Sequence, residues 1–197
     1  MEHILPYLLS AFIGIGLAAA SGFRVFLPLF AVSLSSYLGW IPMSDNFEWL
    51  SGLPTLITTG VATVIEILAY YIPVVDNFLD TLSIPLATIA GSILFASQFM
   101  ELGTFPQWAL ALIAGGGTAA TIASGFAGTR AASIATTAGI GNNIVATTET
   151  AGAGLMSVLA IFLPVIAFVF AIILIVLVLF FGRKIWKKMK SGNSGIF

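Results

Sequence analysis

Six charged residues stand inside or beside long apolar runs: Arg24, Glu66, Asp76, Asp80, Arg130 and Glu149. A guanidinium within an apolar helix costs about 3 kcal/mol on insertion scales, so such groups face a bundle interior or a wet cavity. Each arginine is therefore expected to pair with a carboxylate, Glu149 for one and Glu66 or Asp76 for the other. A pair that stays closed is a structural staple. A pair that opens to water can exchange one partner for a substrate. Arginines at breaks near helix starts would favour an anionic group such as phosphate or carboxylate. Asp76 and Asp80 are four apart, with Asn77 between them. One helical turn sets both carboxylates on one face, where they could bind a cation or carry a proton. Equally, they could cap the next helix in headgroup water. Asn142 and Asn143 complete the candidate substrate- or ion-binding set.

Catalysis and metal chemistry find little footing. There is no cysteine, and the single histidine is His3. Ser124 and Ser133 have no evident base, and Asp76 with Asp80 lack ligand company beyond Asn77. No catalytic residue, metal site or cofactor is expected, and the chain is not read as an enzyme.

The elements that carry these residues are membrane helices. Of the 197 residues 59% are hydrophobic and 8% charged, against about 25% charged in a soluble domain. Mean hydropathy is +1.09. The fold class is all-α, a multi-pass transmembrane helical bundle. One transmembrane domain is expected over residues 1–182, followed by a basic cytoplasmic tail over 183–197. Five of the seven basic residues lie in that tail: Arg183, Lys184, Lys187, Lys188 and Lys190. A basic cluster after an apolar helix marks the cytoplasmic side, and it can also meet anionic lipid headgroups. The N-terminus has no basic leader region and is placed outside. Nucleic acid needs a broad basic surface, which is absent outside the tail. The partners left are the bilayer and a small solute or ion. Oligomeric state stays open.

Seven apolar segments follow in order: 4–20, 23–38, 54–72, 81–98, 108–122, 127–149 and 152–181. The second is short for a span of roughly 20 residues. Gly39 to Leu50 reads as a surface loop with Trp40 and Trp49 in the interfacial aromatic belt. Gly115-Gly116-Gly117 points to very close packing or an unwound turn. The sixth segment is rich in Thr, with Gly139 and Gly141 suggesting a break. Such a segment belongs against protein or a cavity rather than lipid.

Two landmarks recur. Ala-Ser-Gly-Phe begins at Ala20 and again at Ala123, and Leu68-Ala69-Tyr70-Tyr71-Ile72-Pro73-Val74 resembles Leu159-Ala160-Ile161-Phe162-Leu163-Pro164-Val165. The duplicated units would cover about 8–80 and 109–170, with a connector helix at about 81–98. If segments two and six are broken or re-entrant, the repeat is inverted, and that arrangement is preferred. Short interrupted helices in matching positions mark the site of inverted-repeat transporters. If both segments cross fully, there are seven spans and the repeats are parallel.

Ser21-Gly22-Phe23-Arg24, Tyr71-Ile72-Pro73-Val74-Val75-Asp76-Asn77 and Gly128-Thr129-Arg130 resemble a bacterial integral-membrane family, the domain-of-unknown-function family number 4126. The resemblance covers about residues 10 to 180. It implies a multi-pass protein of the bacterial inner membrane and brings no activity with it. The first functional expectation is a small transporter or channel with a polar site at the repeat interface. The alternatives are a structural or assembly protein without a substrate path, and the flipping or transfer of an anionic lipid.

Overall fold

Prolines and glycines set where the helices stop. The computed structural model describes residues 4–43, 45–99, 102–137 and 139–192. Helix α1 spans Ile4–Ser21 and ends as the Ser21 hydroxyl donates back to the Ala18 carbonyl. After a break at residues 22–25, α2 runs only from Phe26 to Tyr37. A 3-10 helix, Asp45–Ser51, leads into α3, Leu53–Ala69. Pro73 opens α4, Pro73–Ala96, at a position whose N–H would have no helical acceptor anyway. Helix α5, Thr104–Leu110, a π-helical turn, Ala111–Gly116, and α6, Gly117–Thr137, follow without a break. Gly139 turns the chain at φ +88°, a left-handed conformation open to glycine. Helix α7, Asn142–Phe162, stops at Leu163, and α8, Pro164–Gly192, starts from the next proline. Among the described residues there is no strand.

The helices pass back and forth between two ends. At one end, Phe47 and Leu50 pack with Phe95, Phe99 and Ala111, against Tyr7 and Ala11. The 3-10 segment is tied to α2 there, where the Ser33 hydroxyl donates to the Leu50 carbonyl at 2.6 Å. The other end gathers Arg24, Glu66, Tyr70, Asp80, Arg130 and Glu149. Between them the crossings depend on small residues. A side-chain carbon on Gly16 would lie 2.9 Å from both Ala160 Cβ and Ala167 Cβ. Among the described residues four helices are long and apolar enough to cross a membrane: 74–96, 104–137, 142–162 and 164–184. Helices α1, α2 and α3 are apolar but shorter. Outward-facing apolar side chains such as Ile57, Val64 and Leu68 on α3 and Val169, Ile173 and Val176 on α8 are about half exposed, a surface suited to lipid.

Several sequence expectations change. The fourth segment begins at Pro73, not Thr81, so Asp76 and Asp80 lie within a helix and the proposed repeat boundary at 80 cuts through it. Segment six is not a re-entrant unit: its first half continues α6, and its second half opens α7. The two Ala-Ser-Gly-Phe strings differ in structure, since the first ends α1 while the second lies inside α6. They nevertheless touch, with the Phe23 and Phe126 rings 4.8 Å apart. Pro73 and Pro164 do share a role, each opening a helix after a break. The threonines of segment six are largely exposed. Thr129, Thr136, Thr137, Thr147 and Thr148 each donate to the carbonyl four residues back. That bond satisfies the hydroxyl without a protein neighbour.

Candidate functional site

Helix ends deliver the charged groups to one place. Arg24 stands in the α1–α2 break. Glu66 and Tyr70 close α3, while Asp76 and Asp80 occupy the first two turns of α4. Arg130 lies about two turns before the end of α6, and Glu149 about two turns into α7. Arg24, Asp76, Arg130 and Glu149 are each at most 3% exposed.

Arg130 is the hub. Its Nε donates to Glu149 Oε1 at 3.0 Å, and its Nη2 donates to Glu149 Oε2. This is the two-pronged guanidinium–carboxylate fork, about twice as strong as neutral hydrogen bonds. Its Nη1 donates to Asp76 Oδ1. Asp76 is held from the other side by Asn142 Nδ2, 3.1 Å from Oδ2. Asp80 stands further off, its Oδ1 3.4 Å from Arg130 Nε, with its side chain 20% exposed.

Arg24 is held more loosely. Its Nη2 donates to the Ala146 carbonyl at 2.8 Å, and its Nε to Thr150 Oγ1 at 3.1 Å. Glu149 Oε2 lies 3.5 Å from the same Nη2, so Glu149 bridges both arginines. Tyr70 adds a ring beneath both guanidiniums, 3.8 Å from the Arg24 carbon and 4.4 Å from that of Arg130. Such contacts are worth up to about 2 kcal/mol when desolvated.

Glu66 does not pair with either arginine by direct contact among the described residues. Its two oxygens accept the backbone N–H groups of Val25, at 2.8 Å, and Phe26, at 3.0 Å. Helix α2 has no capping side chain of its own, so a carboxylate from α3 supplies the cap and meets the positive end of the helix. Glu66→Ala should therefore lower stability by about 1–2 kcal/mol, read by unfolding in mixed detergent. Glu66→Gln, which keeps an acceptor, should lose less. Equal melting of Glu66→Ala and the parent would remove the cap from this account.

A cavity of about 20 Å³ lies within the cluster, lined by Arg24, Glu66, Tyr70, Asp80, Arg130 and Glu149 among others. It has room for about one water. Arg24 Nη1 is buried and without a protein partner, as is Asn142 Oδ1.

The fold thus brings together Arg24, Glu66, Asp76, Asp80, Arg130, Asn142 and Glu149. Asn143 is exposed, outside the cluster. The side chain of Asn77 lies outside the described residues. Tyr70 and Thr150 were not singled out from sequence. Tyr70 had a signal, because it follows Glu66 by four residues and shares its helix face. Nothing in the sequence marked Thr150 among so many threonines.

An all-helical bundle with apolar helices compatible with a membrane, and an ion-pair cluster at one end, defines the class of this protein. Within that class the chain belongs to the family described as Domain of unknown function (DUF4126), which matches residues 11–184. No curated protein and no solved structure matches it.

Proposed function

We propose that this is a bacterial inner-membrane transport protein whose cluster exchanges a proton or small cation at Asp80. The observation that carries this reading is an imbalance of charge. Four carboxyl groups face two guanidiniums in a buried site. Glu66 is held by a helix N-terminus, which leaves Asp76, Asp80 and Glu149 against Arg24 and Arg130. Among the described residues Asp80 has one ion pairing, at 3.4 Å, and the most exposed carboxylate of the three. A buried surplus of negative charge draws in a cation or proton. An anionic substrate fits less well, because both guanidiniums are already engaged by carboxylates.

The basic residues of α8 favour the cytoplasmic face for the cluster's end of the bundle. An odd number of passes then puts the N-terminus outside. The apolar part of α8 ends near the height of Arg130, since Ala132 and Arg183 line one groove. The cluster therefore sits near the inner interface rather than at mid-depth.

The test is proton flux in liposomes of purified protein, with Asp80→Asn beside the parent. The substitution keeps shape and removes the titrating group. Proton flux should fall at least about tenfold, of the order for loss of one essential proton-transfer group, with melting unchanged. Undiminished flux in Asp80→Asn would sink the assignment. A second reading has one observation in its favour: the cavity holds about one water, as a closed structural clamp would. No flux in the parent across imposed pH and cation gradients would turn the interpretation to that clamp.

A further inference from the structure

We propose that a groove between α6 and α8 holds one acyl chain of an anionic phospholipid, with its phosphate at Arg183. The proposal rests on the reading that both helices cross a membrane, and it is independent of transport.

The groove has a volume of about 860 Å³ and is open at the side. The two helices come closest within its length at Gly125, where an added Cβ would lie 2.6 Å from Val178 Cγ2. Lining residues on α6 run from Thr121 to Ala132, and those on α8 from Leu174 to Arg183. The hydroxyls along α6 do not make the wall polar. Ser124 and Thr129 donate to Ala120 and Gly125 carbonyls of their own helix. The wall is thus apolar along its length, with a guanidinium at one end.

Length and charge select the occupant. From Leu174 to Arg183, and from Thr121 to Ala132, the rise is about 14–17 Å at ~1.5 Å per residue. The hydrocarbon core is about 30 Å thick, so the groove spans one leaflet and stops. A partner helix would cross the full thickness. Arg183 is the first basic residue after the apolar run of α8, with Lys184 beside it; both are exposed. That is the depth of a headgroup phosphate, and a guanidinium matches phosphate geometry.

The test is native mass spectrometry of the full chain in mild detergent with equal amounts of phosphatidylglycerol and phosphatidylcholine of matched chains. The parent should retain phosphatidylglycerol about fivefold more, the equivalent of ~1 kcal/mol per basic residue at the surface. Arg183→Gln should bring that ratio towards one while the zwitterionic lipid still binds. Gly128→Leu should weaken both adducts. A Cβ at Gly128 meets nothing within 4 Å, so the leucine intrudes into the groove without a clash at its Cβ. Equal retention of the two lipids by the parent would overturn the proposal. So would undiminished lipid retention in Gly128→Leu, or an unchanged preference in Arg183→Gln. A dimer that Gly128→Leu dissociates would assign the groove to a second copy of the chain instead.

Discussion

Arg130→Leu should destabilise the bundle by about 3–5 kcal/mol, the usual consequence of removing one partner from a buried ion pair. Its guanidinium serves Glu149 through two nitrogens, Asp76 through a third and Asp80 through proximity. Leucine fills much of the volume but leaves Asp76 and Glu149 buried with too little positive charge. The penalty lies in the stranded carboxylates, so neutralising them should recover stability. The triple variant Arg130→Leu, Asp76→Asn, Glu149→Gln should regain at least about half of the loss, since a buried pair replaced as a unit is often near neutral. Arg130→Lys should not rescue, because one ammonium cannot supply the planar fork and the third contact together. Arg24→Leu should cost less than Arg130→Leu, given its longer 3.5 Å approach to Glu149 and its reliance on a carbonyl and a hydroxyl. Equilibrium unfolding in mixed micelles measures all four. A stability for Arg130→Leu within about 1 kcal/mol of the parent, below the range expected for a broken buried pair, would show that Arg130 is not the hub that holds these helices together.

The second large effect is expected at Gly115, which is not among the residues of the charged cluster. The π-helical turn crosses α4 there. A Cβ on Gly115 would lie 2.5 Å from Phe95 Cβ and 2.6 Å from the Gly91 carbonyl oxygen. Gly91 is equally tight, 2.6 Å from Ala119 Cβ. Backbone meets backbone, so no side chain can rotate away to make room. Gly115→Ala should lose about 1–3 kcal/mol by overpacking, and Gly115→Val more. Two positions along, a Cβ on Gly117 meets nothing within 4 Å. Gly117→Ala should be neutral, or stabilising by up to about 1 kcal/mol through helix propensity. Thermal melting of the pair settles the matter. Similar behaviour of Gly115→Ala and Gly117→Ala would mean that α4 and the π turn are not in contact.

The same triplet shows where sequence reading stops. Gly115-Gly116-Gly117 announces close packing or unwinding, and both occur at the first two positions: a π-helical turn, and contact with α4. The third is free, and only the neighbouring helix decides which glycine is needed. Composition made the helical, apolar class legible, because a chain this poor in charge cannot cover itself for water. It also marked Arg24, Arg130, Asp76, Asp80 and Glu149 as costly enough to be gathered. Proline and glycine marked breaks near Gly22, Pro73 and Gly139, but the segment bounds read from them, 23–38, 54–72 and 81–98, differ from those of α2, α3 and α4. Local signals failed at the joint between segments five and six, where Ala-Ser-Gly-Phe permits a helix as readily as it ends one. At its first occurrence the chain leaves α1; at the second the helix continues.

Sequence by itself therefore determined that the ionisable groups must find one another inside an apolar bundle. Tertiary structure decided the partners. Direct contact between Arg130 and Asp76 joins α6 to α4 across 54 positions of chain, and nothing local encodes that distance. Of Glu66 and Asp76, the two carboxylates expected as alternatives beside the second arginine, Asp76 meets Arg130 and Glu66 instead caps α2, accepting from two N–H groups at that helix end. Burial makes every unpaired polar group expensive, but which pairing satisfies it depends on which helix ends meet.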